Sequence, residues 1–284
     1  MISNICMQPQ LHDRSDFPEH HKRIVPRNGA PPKASVIIMA GGYGTRLGPL
    51  TQRVPKPMIP VGNRPVLDHI LTHVQNHGFN DVVITLHYLP HIIREHFQNH
   101  QRDDLKLQFF EAQEDLGTAG SVRGASLLAR HNRLLVLSGD LLTNFDLGML
   151  HRFHRRRKSL MTVALCHVDD ARQYGVAHVQ ENGRIDRFQE KPETTPEGGA
   201  WVNAGIYMIE REALNLAPPD KFYDFSRNLI PELMARNIPI YGCKLPGYWY
   251  DMGTPQTLLQ AEQFLQHKGA SIGNRNLANV AAIT

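Results

Sequence analysis

The chain has 284 residues, 41% of them hydrophobic and 20% charged, enough apolar material for a sizeable α/β unit and too much for wholesale disorder. A formal net charge of +4 suits an anionic substrate but falls short of the dense basic stripe of a nucleic-acid reader, so no nucleic-acid partner is expected. Cys6, Cys166 and Cys243 lie far apart and form no C-x-x-C pair, so nothing argues for a disulfide framework or a structural zinc site, and a reducing, cytoplasmic compartment fits best; no apolar run approaches a membrane span, so no membrane partner is expected either.

Residues 1–33 carry prolines and His12, His20 and His21 with little apolar periodicity, and read as a flexible leader. Order begins at Ala34. Ser35 to Ala40 is a continuous apolar run, the signature of a central parallel strand buried on both faces. Gly41, Gly42 and Gly44 follow at once. Val66 to His77 reads as an amphipathic helix, Asp81 to Leu86 as a strand and Pro90 to Gln98 as a short helix. Leu105 to Glu111 is a further strand, Thr118 to Arg130 a helix and Arg133 to Ser138 a strand that ends at Gly139-Asp140. This alternation predicts a doubly wound sheet. Ligands of such sheets sit at the carboxyl ends of the strands, where the glycine loop and Asp140 both lie.

The run His154 to Lys158 reads as a solvated helix end, its cations facing the negative pole of the helix. Beyond it the chain is richer in strands. Leu160 to His167, Gly175 to Gln180, Arg184 to Glu190, Trp201 to Ile209 and Ile238 to Leu245 are predicted strands, the second and third forming a hairpin through Asn182-Gly183. Asp224 to Asn237 reads as a helix interrupted near its centre by Pro231. Thr254 and Pro255 open a last helix running to about His267, and residues 268–284 form a tail.

The loop Ala40-Gly41-Gly42-Tyr43-Gly44-Thr45-Arg46-Leu47 suits close backbone approach to phosphate oxygens. It is not a P-loop, because no Lys-Ser/Thr pair closes it. It is not the dinucleotide fingerprint, because Leu47 stands where a glycine is required and Arg46 places a cation in the turn. A nicotinamide-binding reductase is therefore disfavoured.

Residues 36–62, which contain the glycine loop with Arg46 and the Pro55-Lys56-Pro57 turn, resemble the opening of the sugar-phosphate nucleotidyltransferase family. The resemblance runs from about residue 34 to 267. It implies a Rossmann-like three-layer α/β/α core with a mixed sheet and a small β-rich sugar-binding insertion, within a domain spanning residues 34–267. It also implies a reaction in which a nucleoside triphosphate and a sugar 1-phosphate give a nucleotide sugar and pyrophosphate.

Carried over to this chain, Ala40, Gly41, Gly42, Gly44, Thr45 and Arg46 meet the nucleotide, and Arg46 and Lys56 contact the triphosphate. Asp140 and Asp251 correspond to the aspartates that hold magnesium. The segment around Gly117 and Thr118 resembles the family's L-G-T-A-G stretch beside base and ribose, with Thr118 also suited to cap its helix. Glu190-Lys191-Pro192 resembles its E-K-P element, in which the glutamate meets sugar hydroxyls and the lysine the sugar phosphate. Gly175 and Asn203 resemble its sugar-facing positions.

The physics agrees with these roles, because attack of one anion on another needs fixed cations and amide donors around the transferring phosphorus. Taken singly, other readings stay open. Lys56 suits a proline turn at the surface, Asp140 a turn, Asp251 a cap and Glu190-Lys191 a surface ion pair. The glycine-loop and Pro-Lys-Pro style most resembles the guanylyltransferases acting on mannose 1-phosphate or a similar hexose or heptose phosphate. Uridylyl-, cytidylyl- and thymidylyltransferases share most of it, and a non-catalytic sensor of nucleotide sugars could use the same fold. Homo-oligomerisation is compatible with all of these.

Overall fold

The computed structural model describes residues 32–267, apart from 101 and 103. The leader up to residue 31, with Cys6, His12, His20 and His21, and the tail from residue 268 lie outside the described residues.

Strand β1 (Ser35–Met39) opens the fold. A short pair, β2 (Pro60–Val61) and β3 (Arg64–Pro65), leads into helix α1 (Val66–Asn76). Then come β4 (Asp81–Leu86), α2 (Pro90–Asn99), β5 (Lys106–Glu111), α3 (Gly117–Ser126) and β6 (Arg133–Ser138). These four longer strands pair in parallel in the order β5-β4-β1-β6. The chain winds outward from β1 to β5, then returns to place β6 on the other flank of β1. The reversal makes the β1–β6 junction the topological switch point.

The β-rich second half extends the same sheet. After β7 (Leu141–Thr143) and α4 (Leu147–Arg157) come β8 (Met161–Val168), β9 (Gly175–Val179), β10 (Ile185–Glu190) and the long β11 (Ala200–Glu210). The C-terminal half of β11 lies antiparallel to β6, and its N-terminal half touches β9 through Val202 and Val176. Its other edge pairs with β8, and the register slips between Asn203 and Tyr207. Helix α5 (Ile230–Ala235), β12 (Ile240–Lys244), β13 (Trp249–Asp251) and α6 (255–267) complete the described chain.

Alternation along the buried strands divides the core into two layers. Val36 and Ile38 face the layer containing α1, α2 and α4, whereas Ile37 faces α3 and α5. All three are fully buried, each contributing roughly 1.5–3 kcal/mol of apolar transfer. Sheet and helices therefore form the expected three layers.

Three local expectations change. The helix read as Thr118 to Arg130 ends at Ser126, and residues 127–129 continue as tight turns donating to carbonyls three residues back. Pro231 does not interrupt its helix. A π-helical turn over Phe225–Leu229 precedes it, with the N–H groups of Asn228 and Leu229 both donating to the Asp224 carbonyl, so the chain winds onto α5 where proline's missing donor is harmless. The basic run is solvated only in part. His154 is buried, with Nδ1 2.9 Å from Thr162 Oγ1 and Nε2 3.2 Å from Glu210 Oε1.

Candidate active site

Two strand ends meet at the switch point, β6 followed directly by Gly139 and β1, after Ala40, by Gly41 and Gly42. A Cβ on Gly139 would lie 2.7 Å from the Met39 carbonyl and 3.2 Å from Pro57. The bare backbone lets β6 end against β1, with the Gly139 N–H donating to Met39 O at 2.9 Å, and delivers Asp140 into the crevice. After β1, Gly44 takes a left-handed conformation (φ 66°), with Thr51 and Lys56 close to where its side chain would be. Thr45–Thr51 then follows as short 3₁₀ turns that kink at Gly48. Thr51 Oγ1 donates to the carbonyls of Gly44 and Gly48 at 3.1 and 3.2 Å. No α-helix springs from this loop, unlike the P-loop and dinucleotide-binding turns, which set phosphate on a helix N-terminus.

Tyr43 is half exposed but tied back. Its hydroxyl lies 2.9 Å from Nε2 of His87, whose Nδ1 faces the Ala112 carbonyl at 3.1 Å. That pairing gives neutral His87 its proton on Nδ1 and leaves Nε2 to accept from Tyr43. The Tyr88 hydroxyl donates to the Thr51 carbonyl at 2.9 Å. Two aromatic residues at the end of β4 thus hold both halves of the loop.

Lys56 sits in the turn between Pro55 and Pro57, closed by the Met58 N–H donating to Pro55 O, and is 9% exposed. Its ammonium donates to Asp140 and lies 3.5 Å from Oδ1 of Asp251. Asp251 arrives from far along the chain through a backbone ladder. Strand β13 pairs antiparallel with β7, setting Asp251 opposite Leu141, and the Met252 N–H donates to the Asp140 carbonyl at 3.0 Å. Arg46 closes the group from the loop side. A Cβ on Gly253 would lie 2.9 Å from Arg46 Nη2 and 3.1 Å from Asp251 Oδ1, so glycine there admits the guanidinium.

A cavity of about 270 Å³ opens between these groups, lined by Gly42, Gly44, Thr45, Arg46, Lys56 and Asp140 among others. A larger depression of about 450 Å³ between α2 and β5 holds none of the residues read as functional. Burial pushes the Lys56 ammonium down, but Asp140 and Asp251 outweigh it and the net displacement is upward. Burial, reinforced by Asp140, raises the Asp251 carboxyl against the opposing pull of Lys56 and Arg46.

The second group of predicted residues gathers beside the first. Glu190 ends β10 opposite Gly175, and a Cβ on Gly175 would lie 2.9 Å from Glu190 Oε2. Burial, then Asp224, raises the Glu190 carboxyl, while Lys191, Arg227 and a hydrogen bond with Ser226 oppose the shift. Lys191 is exposed, in a left-handed conformation (φ 46°). Asn203 Nδ2 donates to Tyr207 Oη at 2.8 Å and Ser226 Oγ at 3.2 Å, and Oδ1 accepts from the Gly205 N–H at 3.0 Å. Both amide protons of Asn203 are therefore spent within the protein, and only an oxygen lone pair is left for a ligand.

Two contacts join the groups. A Cβ on Gly205 would lie 2.8 Å from Ser138 Oγ, and Tyr174 packs edge-on against Trp249 at 5.3 Å between centroids.

Sequence reasoning missed the segment 223–226. Thr118 does not cap its own helix: α3 begins after Leu116 without a side-chain cap. Thr118 Oγ1 instead donates to Asp224 Oδ2 at 2.8 Å and accepts from the Phe225 N–H at 2.9 Å. Gly117, at φ 67°, has no room for a Cβ, which would meet the Tyr223 carbonyl at 2.8 Å. That carbonyl accepts from the N–H groups of Ala119 and Gly120. The glycines of this motif thus admit a neighbouring chain segment. Asp224 also caps the following turn through Ser226 and Arg227, and an aspartate before a helical pattern was the signal available in the sequence.

The family described as Nucleotidyl transferase matches residues 35–268. The chain belongs to this family. Among its relatives, a mannose-1-phosphate guanylyltransferase of Mycobacterium tuberculosis is 32% identical over 229 residues, covering 80% of this chain and 63% of the relative. A UTP–glucose-1-phosphate uridylyltransferase of Synechocystis is 31% identical over 238 residues, covering 79% of this chain and 61% of the relative. The chain therefore spans somewhat under two thirds of the length of these two proteins. The crystal structure of HddC from Yersinia pseudotuberculosis complexed with GMP-PN superposes with a TM-score of 0.71 at 23% identity, covering 82% of this chain and 99% of that one. At that identity the likeness speaks for the nucleotidyl transferase fold. Among the described residues, no helix is long and apolar enough to cross a membrane.

Proposed function

We propose that this chain transfers a nucleoside monophosphate from a nucleoside triphosphate to a sugar 1-phosphate, releasing pyrophosphate, with GTP as the favoured triphosphate and mannose 1-phosphate or a similar hexose or heptose phosphate as acceptor. The observation that carries the reading is the meeting of Asp140, Lys56 and Arg46 on one glycine-lined cavity, with Asp251 joined to them through Lys56. Two anionic reactants repel each other, so a site of this kind needs fixed positive charge and donors that cost no reorganisation.

Asp140 and Asp251 suit magnesium. Both carboxylates reach one ammonium, which sets them close enough to share a cation. Hard oxygen donors, completed by substrate phosphate oxygens and water, are what that ion takes. When bound, it offsets the charge between the two phosphates.

The remaining chemistry falls to the chain itself. An oxygen of the sugar phosphate attacks the α-phosphorus, the bond to the β-phosphate breaks, and pyrophosphate leaves with the electron pair. Arg46 and the N–H groups of Gly42, Gly44 and Thr45 hold the triphosphate, and Lys56 follows the charge onto the leaving group. Lys191 holds the sugar phosphate and Glu190 the sugar hydroxyls. Gly117 and Thr118 border the base and ribose, now through the segment at 223–226. The nucleophile is already ionised near neutral pH, so no general base is required.

The guanylyltransferase relative supports GTP. The uridylyltransferase, at nearly equal identity, supports UTP as the second reading. The test is pyrophosphate release from GTP, UTP, CTP and dTTP, each against mannose, glucose and heptose 1-phosphates with magnesium. Release from GTP with mannose or heptose 1-phosphate is expected. Preference for UTP with glucose 1-phosphate would move the assignment to the second reading. Silence with every pair would turn it to a nucleotide-sugar sensor. A cytoplasmic setting is supported by the few, widely spaced cysteines of the sequence, Cys6, Cys166 and Cys243.

A further inference from the structure

Lys56 reaches both carboxylates that the proposed function assigns to the divalent ion. Its ammonium donates to Oδ2 of Asp140 and lies 3.5 Å from Oδ1 of Asp251. An ammonium and a divalent cation cannot both take close contact with the same few oxygens, since they repel each other in a partly buried site where screening is weak. The side chain has an alternative. Its backbone is fixed by Pro55 and Pro57, and the stem borders the cavity shared with Thr45 and Arg46, where a triphosphate would lie.

We propose that Lys56 is the internal counter-ion of the Asp140–Asp251 pair and exchanges with the divalent ion, withdrawing from the carboxylates onto the triphosphate as the ion enters. The proposal rests on the functional reading above and adds to it. It makes the free enzyme a poor metal binder by design. It also links ion and nucleotide, because the phosphates offer Lys56 the partner it gives up. Linkage is reciprocal, so the ion should favour nucleotide binding as much as the nucleotide favours the ion. A further consequence runs against intuition: removing this functional lysine should improve metal binding.

The test uses the nucleotide-free full chain and Mn²⁺ alone, titrated by calorimetry or by the electron paramagnetic signal of the unbound ion. Lys56→Met and Lys56→Gln are compared with the parent, and Asp140→Asn locates the site. The Lys56 variants should bind Mn²⁺ more tightly, on the order of tenfold, within the usual range of such linkages. Asp140→Asn should abolish that binding. In parallel, the parent chain is acetylated briefly with and without Mn²⁺ and digested for mass spectrometry. Modification of Lys56 should rise when the ion is present, a readout independent of whether either variant folds.

Equal or weaker Mn²⁺ binding in folded Lys56 variants, with binding still lost in Asp140→Asn, would overturn the exchange and leave the metal assignment standing. Lys56 modification unchanged by bound ion would overturn it as well. Absence of any Asp140-dependent binding would remove both the exchange and the metal assignment. Pyrophosphate release, measured separately, reports on the reaction itself.

Discussion

Replacing His151 with leucine is expected to flatten the acid limb of the stability curve. His151 lies on the inner face of α4, 7% exposed, with its ring edge-on to Phe79 at 6.4 Å between centroids. Its Nε2 has no hydrogen-bond partner, and the positive charges of Arg133, Arg155 and Arg152 oppose its protonation, as would a charge on His154. Burial first, and those neighbours second, push the imidazole from 6.5 down to about 4. The native state keeps the ring neutral while the unfolded chain takes up a proton below pH 6.5, so this contribution is complete above pH 6.5 and drains away as the pH falls toward 4. Linkage puts the full loss at about 3 kcal/mol, of which roughly 2 kcal/mol is gone by pH 5. His77 and His154 are also displaced downward, chiefly by burial, and act with the same sign. The assay is urea unfolding of the parent and His151→Leu at steps from pH 7.5 to 4.5. The parent should lose about 2 kcal/mol more than the variant between pH 7.5 and 5. Parallel curves would refute the argument, because they would mean that His151 is protonated alike in both states.

Arg46→Ala should lower kcat/KM for pyrophosphate release by roughly 10²–10³-fold, the usual loss of one preorganised charge-stabilising donor. Its urea midpoint should stay unchanged because the side chain is exposed. Gly117→Ala should destabilise the fold by about 1–3 kcal/mol, since it combines a left-handed backbone with a Cβ 2.8 Å from the Tyr223 carbonyl, and thermal melting will show it. Tyr43→Phe removes the hydroxyl 2.9 Å from His87 and should raise KM for the triphosphate a few-fold while leaving KM for the sugar phosphate in place. Two-substrate kinetics separates the two constants.

Much of this fold was legible because its central strands are unbroken apolar runs. Asp81 to Leu86 and Arg133 to Ser138 needed only their composition, and their observed bounds match the reading. The cleft followed from the same logic, since alternating strands and helices put the glycine loop and Asp140 at neighbouring strand ends. What stayed hidden depends on contacts between distant segments. The role of Tyr223 and Asp224 toward Gly117 and Thr118 exists only after a loop from beyond β11 has docked on α3. The misread basic run had a clue in plain view: Leu147, Leu150, His151 and His154 recur at helical spacing and are the buried face of α4. Counting histidine with the solvated charges concealed that stripe, whereas a neutral imidazole packs much as an apolar ring does.

The site's dependence on the last third of the chain has a mechanical side. Helix α6 holds both of the elements that bring charge to Asp140. At one end of the contact, Glu262 accepts from the Gly62 N–H at 2.8 Å and Leu265 crowds Gly62, a few residues past Lys56. At the other, Phe264 packs on Tyr248 and Tyr250 at 4.7 and 5.5 Å, beside the strand that carries Asp251. The turn bearing Lys56 and the strand bearing Asp251 are thus braced by one helix, and the β7–β13 ladder ties that strand in turn to the segment beginning beside Asp140. Movement of α6 would therefore act on the Lys56 turn directly and reach both carboxylates through the strand that carries Asp251 and its ladder. Residues 255–267 are therefore as much a part of the site's geometry as the glycine loop, although none of them lines the cavity.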